Sequence, residues 1–380
     1  MEKIPFSKPF LTGNELPYIS ESLQSGFVHG DGPFSHRCER LLEELTDAKK
    51  HLLTHSCTGA LELAALLLGV KAGDEVIMPS YTFVSTANAF VLHGATPVFV
   101  DVEVDTRNMC VLACEAAITE KTRAIVAVNY GGMCPELDKL EEIAKRHGID
   151  LIEDAAQSIG AQYKGQPMGS YGGLSAFSFH GTKNIISGEG GALGINNKKY
   201  IERAEILREK GTNRSLFMSG QVDKYTWVDK GSSFLPSDLT AACLFAQLES
   251  VDEINHLRMR VWQEYHDSLL DLHVDGRIAL ARVPDGCEHN AHAFTFLCRD
   301  IADRDGFLAW MRDRGISATF HYVPLHSAPE GMRSGRVAGS MAGTDEVFER
   351  LVRLPLFPGV DTNRVIEATR GYLAGKGNCS

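Results

Sequence analysis

The feature that most constrains this chain is a regular alternation, through its first half, of short apolar runs of β character with helical stretches. Runs at residues 51–54, 75–79, 96–101, 123–129 and 151–154 are separated by helical patterns such as 60–68 and 137–147. Strand, helix, strand in steady succession predicts a mostly parallel sheet covered by helices on both faces. In such sheets ligands gather just past the carboxyl ends of the strands, so the residues that follow each run are the ones to examine.

Two of those regions carry chemistry. The run Leu151-Ile-Glu-Asp154-Ala-Ala-Gln157 ends in an acidic residue, and the segment from Ala176 to Ala192 holds Lys183 followed by Gly188, Gly190 and Gly191. Apolar flanks lower a lysine's pKa and turn it into an amine nucleophile, and glycines let backbone approach a planar ligand closely. A solvated lysine beside a Gly-rich hairpin is the plainer reading of that segment alone. Paired with the carboxylate of Asp154, Lys183 suggests pyridoxal 5′-phosphate (PLP), which works as an electron sink when a fixed acid keeps its ring nitrogen protonated.

A third region supports this. The run at 51–54 leads into Ser56, Cys57 and Thr58 and then an apolar helix. Free N–H groups, a helix dipole and hydroxyls make a phosphate cradle, although Ser56 or Thr58 can equally serve as a simple cap. Tyr81, after the next strand, can stack on a ring or join the core.

The 380 residues carry a net charge of −11, which argues against nucleic-acid or anionic-membrane partners. Nine cysteines lack any Cys-x-x-Cys spacing, which argues against a disulfide framework or a zinc ribbon. The first residues lack a signal-peptide core, and no apolar run reaches membrane-spanning length, so the expected location is cytoplasmic.

In the second half, residues 211–237 read as a long polar loop of the kind that is often functional. A smaller α/β unit follows, with strands at 291–298 and 317–322, a helix at 305–314 and a last helix at 365–373. Residues 330–345, rich in Gly, Ser and Arg, read as irregular and mobile. The stretch from Phe320 to His326 reads as a pocket wall. His321 and His326 lack a third metal ligand, and no metal site is expected.

The motifs Ser56-Cys-Thr58, Gly73-Asp-Glu-Val-Ile, Tyr81-Thr-Phe, Glu153-Asp-Ala-Ala-Gln157, Phe177-Ser-Phe-His-Gly-Thr-Lys183, Gly188-Glu-Gly-Gly191 and His321-Tyr-Val-Pro-Leu-His326 occur in this order. Together they resemble the sugar aminotransferases of the DegT/DnrJ/EryC1/StrS family across nearly the whole chain. The resemblance implies an α/β fold-type I (aspartate aminotransferase-like) enzyme. Its large PLP-binding domain, residues 1–245, would hold a mostly parallel seven-stranded sheet, with a smaller C-terminal domain at 246–380.

The resemblance also implies the roles. PLP would be carried on Lys183, with Asp154 at the ring nitrogen, Gln157 at the ring hydroxyl and Tyr81 stacked on the opposite face. Ser56, Cys57, Thr58 and Ser178 would hold the phosphate. Ser233 stands where many family members have an asparagine that reaches across a dimer to that phosphate, so a homodimer with shared active sites is implied. L-glutamate would donate the amino group to a nucleotide sugar. His180, Tyr322 and His326 are candidates for the sugar side, and Lys210, Arg214 and Lys224 for its diphosphate. Segments 208–215 and 220–227 look like the branch acting at C-4 of TDP-linked 4-keto-6-deoxy sugars.

Other readings fare worse. Sugar dehydratases on this fold replace the lysine with histidine. PLP-sensing regulators carry a DNA-binding domain in front, whereas here the fold pattern begins within the first residues. Nicotinamide dehydrogenases need a Gly-x-Gly-x-x-Gly that the early strands lack.

Overall fold

A computed structural model describes residues 2–374. The main sheet contains β1 (Lys50–Thr54), β2 (Glu75–Pro79), β3 (Thr96–Val100), β4 (Thr122–Val128), β5 (Asp150–Asp154), β6 (Leu174–Ser178) and β7 (Gly191–Ile195), with one further edge strand described below. They lie in the order β1-β7-β6-β5-β4-β2-β3. The ladders from β3 to β6 are all parallel, and β7 runs antiparallel to both β6 and β1.

Alternate residues of these strands enter two cores. On one face Val76, Met78, Val126 and Ile152 pack with Leu61, Ala64 and Phe90 from the helices Cys57–Leu68 and Val84–Val91. On the other, Ile77, Val98, Ile125 and Leu151 pack under Leu137, Leu140 and Ile143 of the helix Leu137–His147. Burial on both sides explains why the strand sequences are apolar throughout rather than alternating.

The helix Val251–Val274 begins against the main sheet, where Val251 and Ile254 join the cluster around Phe177 and Ala192. It ends in a separate core, where Trp262, Tyr265 and Leu269 meet Phe294, Phe296, Phe307 and Val352. There the strands Ala279–Leu280, Phe294–Leu297 and Leu351–Leu354 form a small sheet with Phe294–Leu297 in the middle. The strand expected at 317–322 is instead extended backbone with a single bridge, Thr319 to Arg353. Among the described residues no helix is long and apolar enough to cross a membrane.

Residues 330–345 depart most from the sequence reading. They contain the helix Pro329–Ser334 in part, the strand Arg336–Val337 and the start of the helix Ala342–Arg350. Arg336–Val337 pairs in parallel with β3 and adds an eighth strand to the expected seven. Two long-range contacts account for this order. The Arg336 guanidinium grips the Glu75 carboxylate with two bonds, of 2.9 and 2.7 Å. Asp101 accepts from the N–H groups of Gly343 and Thr344 at 3.0 and 2.6 Å and so caps the following helix. The 211–237 segment is loop apart from the short helix Arg214–Met218.

Candidate active site

The carboxyl ends of β5 and β6, the start of the helix Cys57–Leu68 and the turn between β6 and β7 enclose a cavity of about 430 Å³. Asp154 is the last residue of β5, which is paired on both sides by β4 and β6, so its carboxylate is rigidly mounted. The hydroxyl of Thr86 donates to Oδ2 at 2.7 Å, and the N–H of Ala156 donates to Oδ1 at 3.3 Å. Among the described residues no cation forms an ion pair with Asp154. Burial pushes its pKa up, against these hydrogen bonds and the charge of Lys183.

Lys183 lies in the β6–β7 turn, which closes on itself through bonds from the N–H of Gly181 to the carbonyl of Gly188 and from the N–H of Lys183 to the carbonyl of His180, both 2.9 Å. Phe177, Phe179, Ile185 and Ile186 anchor the turn in the core. Lys183 is half-buried and lines the cavity. Burial lowers the amine's pKa, Cys57 and Asp154 oppose that, and Arg353 adds to it. The amine is therefore available unprotonated at lower pH than in a free lysine.

Two glycines of this turn are required by the protein's own packing, and one of them, Gly190, also lines the cavity. A Cβ on Gly191 would lie 2.4 Å from the backbone N of Cys57, and one on Gly190 would lie 2.4 Å from Ser187 Oγ. Removing side chains there lets β7 press against the start of the helix Cys57–Leu68. Ser56 is that helix's N-cap and accepts from the N–H of Gly59 at 3.0 Å, while Thr58 shares a 2.8 Å hydroxyl contact with Ser85. Ser56, Cys57, Thr58 and Ser178 all line the cavity. The cap and the cradle are thus the same structure.

Gln157 also lines the cavity. It accepts from the N–H of Gly131 at 2.7 Å and donates to the Tyr322 hydroxyl at 3.1 Å, which holds Tyr322 in the wall. His180 stands near the mouth, between Thr182 at 2.8 Å and the exposed Glu189 at 3.5 Å.

Tyr81 does not face the cavity. The helix after β2 starts at Val84, and the intervening turn sends Tyr81 inward. There it is buried, donates to the backbone carbonyl of His321 and packs edge-on against Tyr130 and Tyr322. Phe83, two residues on and 57% exposed, lines the cavity in its place.

His326 is likewise a strut. Its Nδ1 meets Ser80 Oγ at 2.8 Å and its Nε2 meets Asp345 at 3.3 Å, outside the cavity. His321 turns instead toward Arg353, so the two histidines do not converge on a metal. Lys210, Arg214, Lys224 and Ser233 lie outside the cavity of this chain. Lys210 pairs with Glu209 at 3.1 Å, Arg214 pairs with Asp31 at 3.1 Å, and Lys224 and Ser233 are exposed.

Residues 9–370 match the DegT/DnrJ/EryC1/StrS aminotransferase family. The chain belongs to this family. Among solved structures it is similar to DesV of S. venezuelae, solved in complex with a ketimine intermediate, at 30% identity and a TM-score of 0.88, covering 98% of this chain and 99% of that one. It is also similar to the aminotransferase TlmJ from Streptoalloteichus hindustanus at 28% identity and a TM-score of 0.89, again over 98% and 99% of the two chains. The PLP form of Spr1654 from Streptococcus pneumoniae matches at 26% identity, a TM-score of 0.89 and the same coverage. The fold is thus fold-type I, and the DegT/DnrJ/EryC1/StrS enzymes are PLP-dependent sugar aminotransferases.

The cavity fits that coenzyme. It offers a buried carboxylate that no cation among the described residues pairs with directly, an amine of lowered pKa, a helix N-terminus flanked by hydroxyls, and an aromatic wall in Phe83. Sequence reasoning missed Thr86, Phe83, His292 and Arg353, all of which line it. A signal for Arg353 was present. It is the one charged residue in Leu351-Val-Arg-Leu354, an otherwise apolar strand.

Proposed function

We propose that this enzyme transfers the amino group of L-glutamate to C-4 of a nucleotide-linked 4-keto-6-deoxy sugar. The substrate is TDP-4-keto-6-deoxy-D-glucose, and the product TDP-4-amino-4,6-dideoxy-D-galactose serves bacterial surface polysaccharide biosynthesis in the cytoplasm. The observation that carries the reaction type is the meeting of Lys183 and Asp154 in one cavity, beside the open start of the helix Cys57–Leu68. The sugar rests on segments 208–215 and 220–227, which look like the branch acting at that position.

PLP supplies an electron sink when its ring nitrogen is protonated. Asp154, oriented by Thr86 and Ala156, holds that proton. Lys183 carries the coenzyme. The neutral amine of Lys183 would take the proton from Cα of the donor in one half-reaction and deliver a proton to C-4 of the sugar in the other. Gln157 would bind the ring hydroxyl, Phe83 rather than Tyr81 would cover a ring face, and Ser56, the Cys57 N–H, Thr58 and Ser178 would hold the phosphate. His180 and Tyr322 face the sugar.

In a homodimer with shared sites, Lys210, Arg214 and Lys224 would serve the mouth of the partner's cavity, where the nucleotide diphosphate needs cations, and Ser233 would approach the partner's coenzyme phosphate.

The test is to supply L-glutamate and TDP-4-keto-6-deoxy-D-glucose and determine the product configuration by NMR. An axial C-4 amine, the galacto product, is expected. A gluco amine or amination at C-3 would move the enzyme to another branch of the family. Binding of PLP without any turnover would leave a regulator and overturn the proposal.

A further inference from the structure

Two thiols meet where the core of the small sheet touches that of the main sheet. Cys134, past the turn that follows β4, is fully buried in the core under the helix Leu137–His147. Cys287 packs against that core and also against the one around Trp262 and Phe294, so it lies at their seam. Two features hold the pair together. Cys287 pairs with Tyr163 in a short antiparallel ladder, and Tyr163 belongs to the same core as Cys134. Gly132 is pressed against Asn290, where a Cβ would lie 2.0 Å from Asn290 Oδ1, so the segments that carry the two cysteines are in contact.

The thiol and the backbone N–H of Cys134 both donate to Cys287 Sγ. The thiol's bond leads, and together the two hold Cys287 below the ordinary thiol pKa against burial and the charge of Glu288. Burial pushes the Cys134 thiol far up, which keeps it protonated as the donor. The thiols of Cys38, Cys57, Cys110, Cys114 and Cys243 are all pushed up, chiefly by burial.

Cys287 is half-buried between the exposed Gly286 and Glu288, and neither Cys287 nor Cys134 lines the active-site cavity. A small reagent therefore reaches Cys287 from solvent. A half-exposed cysteine with thiolate character is the one that peroxides attack, and a second thiol beside it can resolve the product.

We propose that Cys287 is an oxidation site for hydroperoxides and that Cys134 resolves it, closing a disulfide across the seam between the two cores. The Cys287 sulfur attacks one peroxide oxygen and the O–O bond breaks. The other oxygen leaves as water with the thiol proton, and Cys287 becomes a sulfenic acid. The Cys134 sulfur then attacks the Cys287 sulfur, the S–O bond breaks, and the hydroxyl leaves with the Cys134 proton as a second water. Two thiols and one hydrogen peroxide become one disulfide and two waters.

The link would tie together two segments that stand behind the cavity wall. Gly131, three residues before Cys134, donates its N–H to Gln157 Oε1 at 2.7 Å. Asn290, three residues after Cys287, donates to the Gln157 carbonyl at 3.0 Å, and its own carbonyl accepts from Asn184, the neighbour of Lys183, at 2.9 Å.

The experiment treats the intact protein with a small excess of hydrogen peroxide in the absence of reductant, and maps its peptides by mass spectrometry without reduction. The expected product is a peptide pair joined through Cys134 and Cys287, two hydrogens lighter than the separate peptides and released by dithiothreitol. In Cys134→Ser the reaction should stall at the sulfenic acid, so dimedone should label Cys287. In Cys287→Ser, Cys134 should remain a free thiol. Wild-type Cys287 left unmodified, or oxidised beyond the sulfenic acid without a link, would overturn the proposal and leave the pair as packing. A link through other cysteines, or no dimedone label in Cys134→Ser, would overturn it as well. The readout is mass, so none of these outcomes bears on the reaction assigned to the cavity.

Discussion

Thr86 donates its hydroxyl to Oδ2 of Asp154 at 2.7 Å, so a residue of the helix after β2 fixes the carboxylate at the end of β5. Both groups are buried. A hydrogen bond to a charged group in such a place contributes roughly 1.5–3 kcal/mol. Thr86→Val should therefore weaken PLP binding at least tenfold while the protein stays folded, and Thr86→Ser should restore most of it. Equilibrium dialysis against PLP measures this, and unchanged affinity in Thr86→Val would remove Thr86 from the account.

Phe83 and Tyr81 separate by function. Phe83→Ala should cost about 1 kcal/mol of coenzyme affinity through lost aromatic contact. Tyr81→Phe loses the bond to the His321 carbonyl and should lower stability by about 1 kcal/mol, leaving coenzyme affinity nearly unchanged. The reverse pattern, read by PLP titration and urea unfolding, would restore Tyr81 to the ring-stacking role.

Capture of PLP by Lys183 needs the neutral amine. Because burial lowers its pKa, the capture rate should climb with pH to a plateau whose midpoint lies below the 10.5 of an ordinary lysine. Asp154 opposes that lowering, so Asp154→Asn should move the midpoint lower still, and it should also cut turnover sharply by losing the ring proton. A midpoint near the ordinary value, from stopped-flow absorbance across pH, would contradict the buried-amine account.

The Glu39–Arg208 pair, at 2.6 Å, is a stability element away from the cavity. Burial acts to raise the Glu39 pKa, but Arg208, a hydrogen bond from His36 and Lys50 outweigh it and bring it from 4.5 to about 2. A folded-state pKa below the unfolded one means the pair stabilises fully above the unfolded value. That contribution is lost as pH falls from about 4.5 through about 2. Glu39→Gln should destabilise at neutral pH by less than the roughly 3–5 kcal/mol that an uncompensated buried charge costs, because Arg208 keeps Asp31 at 2.9 Å, and it should flatten the acid limb of the stability curve. Urea unfolding at several pH values measures both, and an unaltered acid limb would show that Glu39 titrates normally.

The parts of this protein that were legible in the sequence are those set by local pattern. Uninterrupted apolar runs between helices predicted the parallel sheet, and the ends of β5 and β6 led to Asp154 and Lys183. What escaped depends on distant partners. Residues 330–345 lack any periodicity, and their order comes from Glu75 and Asp101, far away in the chain. Tyr81 and Phe83 differ by two positions in a turn whose course is set by the loop around His321, so composition could not say which ring faces inward. The glycines after Lys183 suggested room for a ligand, yet Gly191 is small because Cys57 lies against it. Lys210, Arg214 and Lys224 stand out in the sequence by charge alone, and charge does not reveal which side of a loop faces a cavity.

The account depends most on Lys183 as the covalent seat of the coenzyme. Reducing the PLP-loaded enzyme with borohydride, digesting it and mapping the pyridoxyl mass by peptide sequencing tests that directly. The added mass on the peptide containing Lys183, and its loss in Lys183→Ala, is the predicted result. The same mass on another lysine, with Lys183 unmodified, would contradict it.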